Sequence, residues 1–152
     1  MTQPLSDFPR CFDPERLAHF ELQAPQSRAL LGSFLDSLGP ELGRLSRALL
    51  GGLACCAKGE QAPSNPEMGA AMGEALEVVH RFKGLVGLFA TPLVLEAVRG
   101  LEATLQDLMQ ARRVRAEDLE ALWAQYQGLA RLTEQLERQV QLAHEELSGS
   151  TG

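Results

Sequence analysis

The sequence predicts an all-α fold: an antiparallel, up-down four-helix bundle with a short extra helix at its N-terminal end. Three observations carry that prediction. Leu and Ala recur throughout while β-branched runs are nearly absent, a composition that favours helix over strand. Apolar residues return in steps of 3 and 4 over long stretches, the period of one helical face. A polar cap followed by proline punctuates the chain at Asp13-Pro14, Asn65-Pro66 and Thr91-Pro92, and that pair marks helix starts. With 152 residues, 45% hydrophobic and 22% charged, the chain is sized for one domain with a substantial core. Aromatic residues are only 5%, which points to aliphatic helix packing.

Asp13-Pro14-Glu15 opens the short helix, with Leu17 and Phe20 on one face and an end near Gln23, before Ala24-Pro25. Residues 1–12 form an N-terminal arm without a pattern that demands order. The second helix begins near Gln26. Its stripe of Leu31, Phe34, Leu38, Leu42, Leu45 and Leu49 keeps phase across Gly39-Pro40, so the proline predicts a kink rather than a stop. Gly51-Gly52 lies near its end, and residues 57–65 form a turn-rich connector.

The third helix follows Asn65 and carries Met68, Met72, Ala75, Val79, Phe82, Val86 and Phe89 in alternating steps of 4 and 3. Thr91-Pro92 starts the fourth, lined by Val94, Ala97 or Val98, Leu101, Leu105 and Leu108. It fades at Arg112-Arg113, whose charge suits a helix C-terminus. The fifth begins around Ala116 and runs through Leu119, Leu122, Tyr126, Leu129, Thr133, Leu136, Val140, Ala143 and Leu147. At roughly 32 residues it spans roughly 48 Å and is the longest expected element, so part of it is expected to overhang its neighbours. Such an overhang offers a seam for a second copy. The bundle domain is bounded at 13–147, with 148–152 as a tail.

Bulk charge narrows function. A net charge of -6 with no concentrated basic stripe argues against nucleic-acid binding; the arginines at 112, 113 and 115 form too short a cluster to reverse that. No apolar run is long enough for a bilayer, and residues 1–10 lack the charged-then-apolar pattern of a secretion signal. These features predict a cytoplasmic protein without membrane partners. The three cysteines, Cys11, Cys55 and Cys56, make no disulfide framework, and no nearby His or Cys completes a metal set around the adjacent pair. They read as reduced thiols in or near a helix end. No carboxylate cluster, serine–histidine set or phosphate-cradling loop marks a hydrolase.

One constellation carries chemistry. His80, Lys83 and Gly84 spell H-x-x-K-G within the third helix. His80 sits about 100° round from the core residue Val79, at the border of the buried stripe. The face it shares reads Gly69, Gly73, Glu77, His80, Lys83, Gly84 and Gly87. Each glycine inside a helix loses roughly 1 kcal/mol relative to alanine, so four on one face are costly unless something else uses the bare surface. An imidazole is a nucleophile when neutral, and Lys83 one turn on can offset the charge of a phosphoryl group. The glycines leave room for a second protein, with Glu77 and Arg81 at the edge of the same surface. A lone helical histidine is most often structural; the combination is what points to phosphotransfer. His19 and His144 have no such company.

The segment 80–90, His-Arg-Phe-Lys-Gly-Leu-Val-Gly-Leu-Phe-Ala, resembles the H-x-x-K-G-[SA]-[SA] signature of the histidine-containing phosphotransfer (HPt) family. It is also similar to the N-terminal phosphotransfer domain of chemotaxis kinases, where a Gly and a Phe stand at the places of Gly87 and Phe89. Residues 29–49 resemble that family's first long helix, and residues 94–105, with Leu101-Glu102, the helix after the histidine. The resemblance spans about 13–140, and its specificity lies in the five-residue core. It implies that His80 is phosphorylated through Nε2, that Lys83 positions the phosphoryl group, and that Gly84 leaves space for the partner. The protein would be a phosphocarrier without kinase activity of its own. It would take phosphate from a receiver-domain aspartate of a hybrid sensor kinase, or from the kinase itself, and pass it to a response regulator. It would need no cofactor, since the Mg²⁺ belongs to the receiver. Leu85 and Val86 depart from the family's small residues, and Ala90 stands where glycine is frequent.

Two other functions fit the same residues. One is a helical module that docks a receiver domain with no phosphate moving. The other is a dimeric phosphotransferase resembling a sensor-kinase dimerisation domain, joined through the long last helix rather than acting as a monomer.

Overall fold

The structure, a computed structural model, describes residues 9–149. Residues 1–8 of the expected arm and 150–152 of the expected tail lie outside them. The protein is all-α: α1 is Pro14–Ala18, α2 Ala24–Cys56, α3 Pro66–Val86, α4 Pro92–Gln110 and α5 Ala116–Gly149. Among the described residues the only strand-like pairings are two isolated bridges, Phe12 with Ala90 and Gln61 with Val114.

The caps act as their residue types require. Asp13 accepts from the amide of Glu15 at 3.1 Å, and Asn65 from the amides of Glu67 and Met68 at 3.0 and 3.2 Å, which satisfies donors that have no partner inside the helix. Thr91 is different. Its hydroxyl donates to the Arg10 carbonyl at 2.7 Å and gives α4 no side-chain cap. α1 is shorter than expected and ends at Ala18 rather than near Gln23, while α2 starts two residues early, where the amide of Gln23 donates to the Gln26 side chain at 3.1 Å. Pro40 lies inside α2 without stopping it. The connector at 57–65 turns back through Gly59, whose φ of 113° is natural only to glycine.

α2 packs on α3 and α5, and α4 packs on the same two helices. Gly32, near the start of α2, lies against His144 near the end of α5, and Gly52, near the end of α2, lies against Leu119 at the start of α5. The two helices therefore run in opposite directions along most of their lengths. The expected overhang is partly met: α5 outruns α4, with 19 residues, but not α2. α5 has 34 residues and α2 has 33, so α2 accompanies α5 along its length. Hydrophobic phase could not show this, because it does not report where α2 begins.

The apolar stripes meet in one core. All seven stripe residues of the third helical stretch, Met68 to Phe89, are buried, as are Leu31, Phe34, Leu38, Leu45 and Leu49 of α2. Leu42, Leu108 and Tyr126 are only half-buried at its margin. Four of the six phenylalanines do not follow the aliphatic pattern: Phe12, Phe20 and Phe34 all touch Phe89, with ring centroids 6.3, 5.9 and 5.0 Å away. This aromatic knot closes the end of the core where α3 stops and α2 continues. Part of the expected arm belongs to it, since Cys11 and Phe12 are buried.

Phe89→Ala removes the shared centre of this knot. Urea unfolding should show a loss of about 3–5 kcal/mol, the range for a large buried aromatic replaced by alanine.

Candidate functional site

The buried line of α3 sets the direction of His80. Val78 and Val79, just before it, are fully buried, and Phe82, just after Arg81, is buried too. The helix cannot rotate without exposing them, so the imidazole is turned outward and its side chain is 75% exposed. Sequence spacing placed His80 at the border of the core; the structure leaves it open to solvent.

Its neighbour comes from the next helix. Glu102 of α4 reaches both members of the motif. One carboxylate oxygen accepts from Lys83 Nζ at 2.8 Å, and the other lies 3.7 Å from His80 Nδ1. The first is a charge-assisted hydrogen bond; the second is a close electrostatic contact beyond hydrogen-bond length. Glu102 is 14% exposed, so its charge is better shielded from water than a typical surface carboxylate. Because Nδ1 faces Glu102, Nε2 lies on the opposite edge of the ring. Lys83 is thus already balanced by a carboxylate, although an ammonium has three donors and retains two for other acceptors.

Sequence reasoning did not assign Glu102 a role. It was named only with Leu101, in the resemblance of the helix after the histidine. The signal that could have found it is register: folding α4 back on α3 about the turn at 87–91 brings position 102 level with 80–83.

Arg81 and Glu77 are joined to each other rather than to His80. The guanidinium of Arg81 contacts the Glu77 carboxylate at 3.4 Å and that of Glu41, on α2, at 3.5 Å. They form the α2 side of the surface, with Glu102 on the α4 side. A shallow groove of about 360 Å³ lies beside the imidazole, lined by Gly73, Leu76, Glu77, His80, Glu102 and Gln106.

The four glycines of this face divide. A Cβ at Gly73 or Gly84 would meet no atom within 4 Å, so both leave open surface beside His80. A Cβ at Gly69 would stand 2.9 Å from the Pro63 carbonyl, and one at Gly87 would stand 3.1 Å from the Lys83 carbonyl. Gly87 caps α3 and its own carbonyl accepts from Arg16 at 2.6 Å. Local packing accounts for these two without a partner.

The cysteines are free. Cys55 lines a separate cavity of about 480 Å³, its sulfur 3.9 Å from Glu67, while the Cys56 sulfur is turned to the Val114 carbonyl at 3.6 Å. Burial, with Cys55 and Asp118 nearby, raises the Cys56 thiol above its ordinary range. Among the described residues no group of three His, Cys, Asp or Glu could hold a metal ion, and no helix is long and apolar enough to cross a membrane.

No family model matches this chain, and no curated protein or solved structure matches it.

The division among glycines is testable by urea unfolding of single variants. Gly84→Ala should leave stability unchanged or raise it by up to about 1 kcal/mol, because helix propensity improves and nothing is struck. Gly69→Ala should lower stability, since the helix must yield to the Pro63 carbonyl.

Proposed function

We propose that the protein is a phosphorelay intermediate and that His80 Nε2 is its phospho-acceptor. The observation that carries this reading is the imidazole itself: exposed, beside a bare helix surface, with Nδ1 facing a shielded carboxylate and Nε2 on the opposite edge of the ring. The same reading takes α2 to α5 as an antiparallel, up-down four-helix bundle with α1 across one end.

The chemistry follows from the geometry. A contact between Nδ1–H and Glu102 favours the tautomer whose lone pair is on Nε2. That lone pair attacks the phosphorus of an aspartyl phosphate on a receiver domain. The N–P bond forms as the P–O bond breaks, and the aspartate leaves as a carboxylate. The ring keeps its Nδ1 proton and becomes cationic, and Glu102 faces that new charge. Lys83 can bond a phosphoryl oxygen while still touching Glu102. Transfer onward reverses each step at a second receiver. Metal assistance and most of the catalysis belong to the receiver, so this chain acts as a carrier and not as a kinase.

Gly73 and Gly84 admit the partner, and Glu77 and Arg81 border its footprint. Arg81, already paired with Glu41 and Glu77, is assigned to recognition rather than to the phosphate.

The test is transfer from a ³²P-labelled receiver domain, scored as acid-labile, alkali-stable label on this protein. Wild type should take label and His80→Gln should take none; label on the His80→Gln variant, or none on wild type across the receivers of the source organism, overturns the assignment. The second result would leave a docking module that moves no phosphate. Glu102→Gln should still take label, but about tenfold more slowly, because the ring must become cationic without a facing charge. Lys83→Gln should also slow transfer, and with Glu102 left unpaired the loss should be at least as large.

A further inference from the structure

The segment before α2 is held to the rest of the molecule in an unusual way. None of the five residues of α1 is buried, and within 9–18 only Cys11 and Phe12 are. Besides the packing of those two side chains and of Leu17, bonds to the backbone hold the segment. The side chain of Gln139, on α5, reads three of its groups: Oε1 accepts from the amides of Cys11 and Phe12, both at 2.9 Å, and Nε2 donates to the Pro9 carbonyl at 2.9 Å. The turn between α3 and α4 holds the other edge. The Thr91 amide donates to the Cys11 carbonyl at 2.9 Å, and the Asp13 amide to the Phe89 carbonyl at 2.7 Å. The Thr91 hydroxyl and the Arg16 guanidinium add the bonds to Arg10 and Gly87 already described.

Between this segment and α2 lies Glu21, with a φ of 52°. That is the left-handed region, in which a residue with a Cβ is strained. The strain sits within the short connection, residues 19–23, that joins the segment to α2.

We propose that residues 9–18 are a latch that opens as one unit while α2 to α5 stay packed, and that Gln139 holds it shut. A segment that contributes two buried side chains and many backbone bonds belongs to the least stable part of a structure and opens before the core does. Removing the Gln139 amide takes the partner from two part-buried amides and from the Pro9 carbonyl together, so its loss acts on the whole latch. Opening uncovers the Phe89 ring and frees the carbonyl of Gly87, the cap of the helix that carries His80. The inference rests on this segment alone and holds whether or not His80 carries phosphate.

Cys11 reports the state of the latch. Its thiol is buried while the latch is shut, and burial raises it above its ordinary range, so it is unreactive there. The full chain is alkylated with iodoacetamide under native conditions, and Cys11 and Cys56 are followed separately by peptide mass spectrometry. With fast opening and closing, the Cys11 rate tracks the open population. Gln139→Ala should raise that rate about tenfold while the Cys56 rate stays close to wild type. In wild type, the Cys11 rate should depend on urea more shallowly than global unfolding does, because less surface is exposed. An unchanged Cys11 rate in the variant, equal rises at Cys11 and Cys56, or a urea slope equal to that of global unfolding would each overturn the latch.

Discussion

The rotational phase of α3 is the constraint from which the site follows. Met68, Met72, Ala75, Val78, Val79, Phe82 and Val86 are all buried, and together they leave the helix one orientation about its axis. Turning it by the angle of a single residue would carry several of them into water at about 1.5–3 kcal/mol for each large side chain. His80 inherits its outward direction from that preference. The exposure of the imidazole is therefore an effect of core packing and needs no contact of its own to maintain it.

Direction alone does not give the imidazole a neighbour. The second element is the crossing of α4, which places Glu102 between Lys83 and the imidazole. This carboxylate has one oxygen for each, and its low exposure makes it a stronger electrostatic partner than the open pair of Arg81 with Glu77. It bonds the lysine and faces the ring at the same time. The motif is thus a three-group assembly built on two helices. The bare surface around it is narrower than a count of glycines suggests, because Gly69 and Gly87 answer to nearby carbonyls.

Much of this was legible in the residues. The positions of α3, α4 and α5 follow from caps, prolines and an unbroken 3-4 period, and these are local properties of the chain. The same period put His80 at the border of the buried stripe, and the structure turns it further out. Less was legible at the N-terminal end. Asp13-Pro14 announced α1, but residues 9–12 showed no periodicity, and their order comes from the distant Gln139 and Thr91. Low aromatic content suggested aliphatic packing throughout, yet four phenylalanines from four separate stretches of chain converge at one end. A composition counts residues and carries no information about where they meet.

By itself the sequence determined the helical class, the face each helix buries and the presence of an imidazole, an ammonium and a bare position one turn apart. Each of these is encoded within a few residues, because helix propensity, capping and hydrophobic period act over one or two turns. Only the tertiary structure decided that Glu102 faces Lys83, that α2 runs the length of α5, and which glycines are open. Those are matters of register between helices, set by how side chains from distant segments fit against one another, and no local pattern in the chain reports that fit.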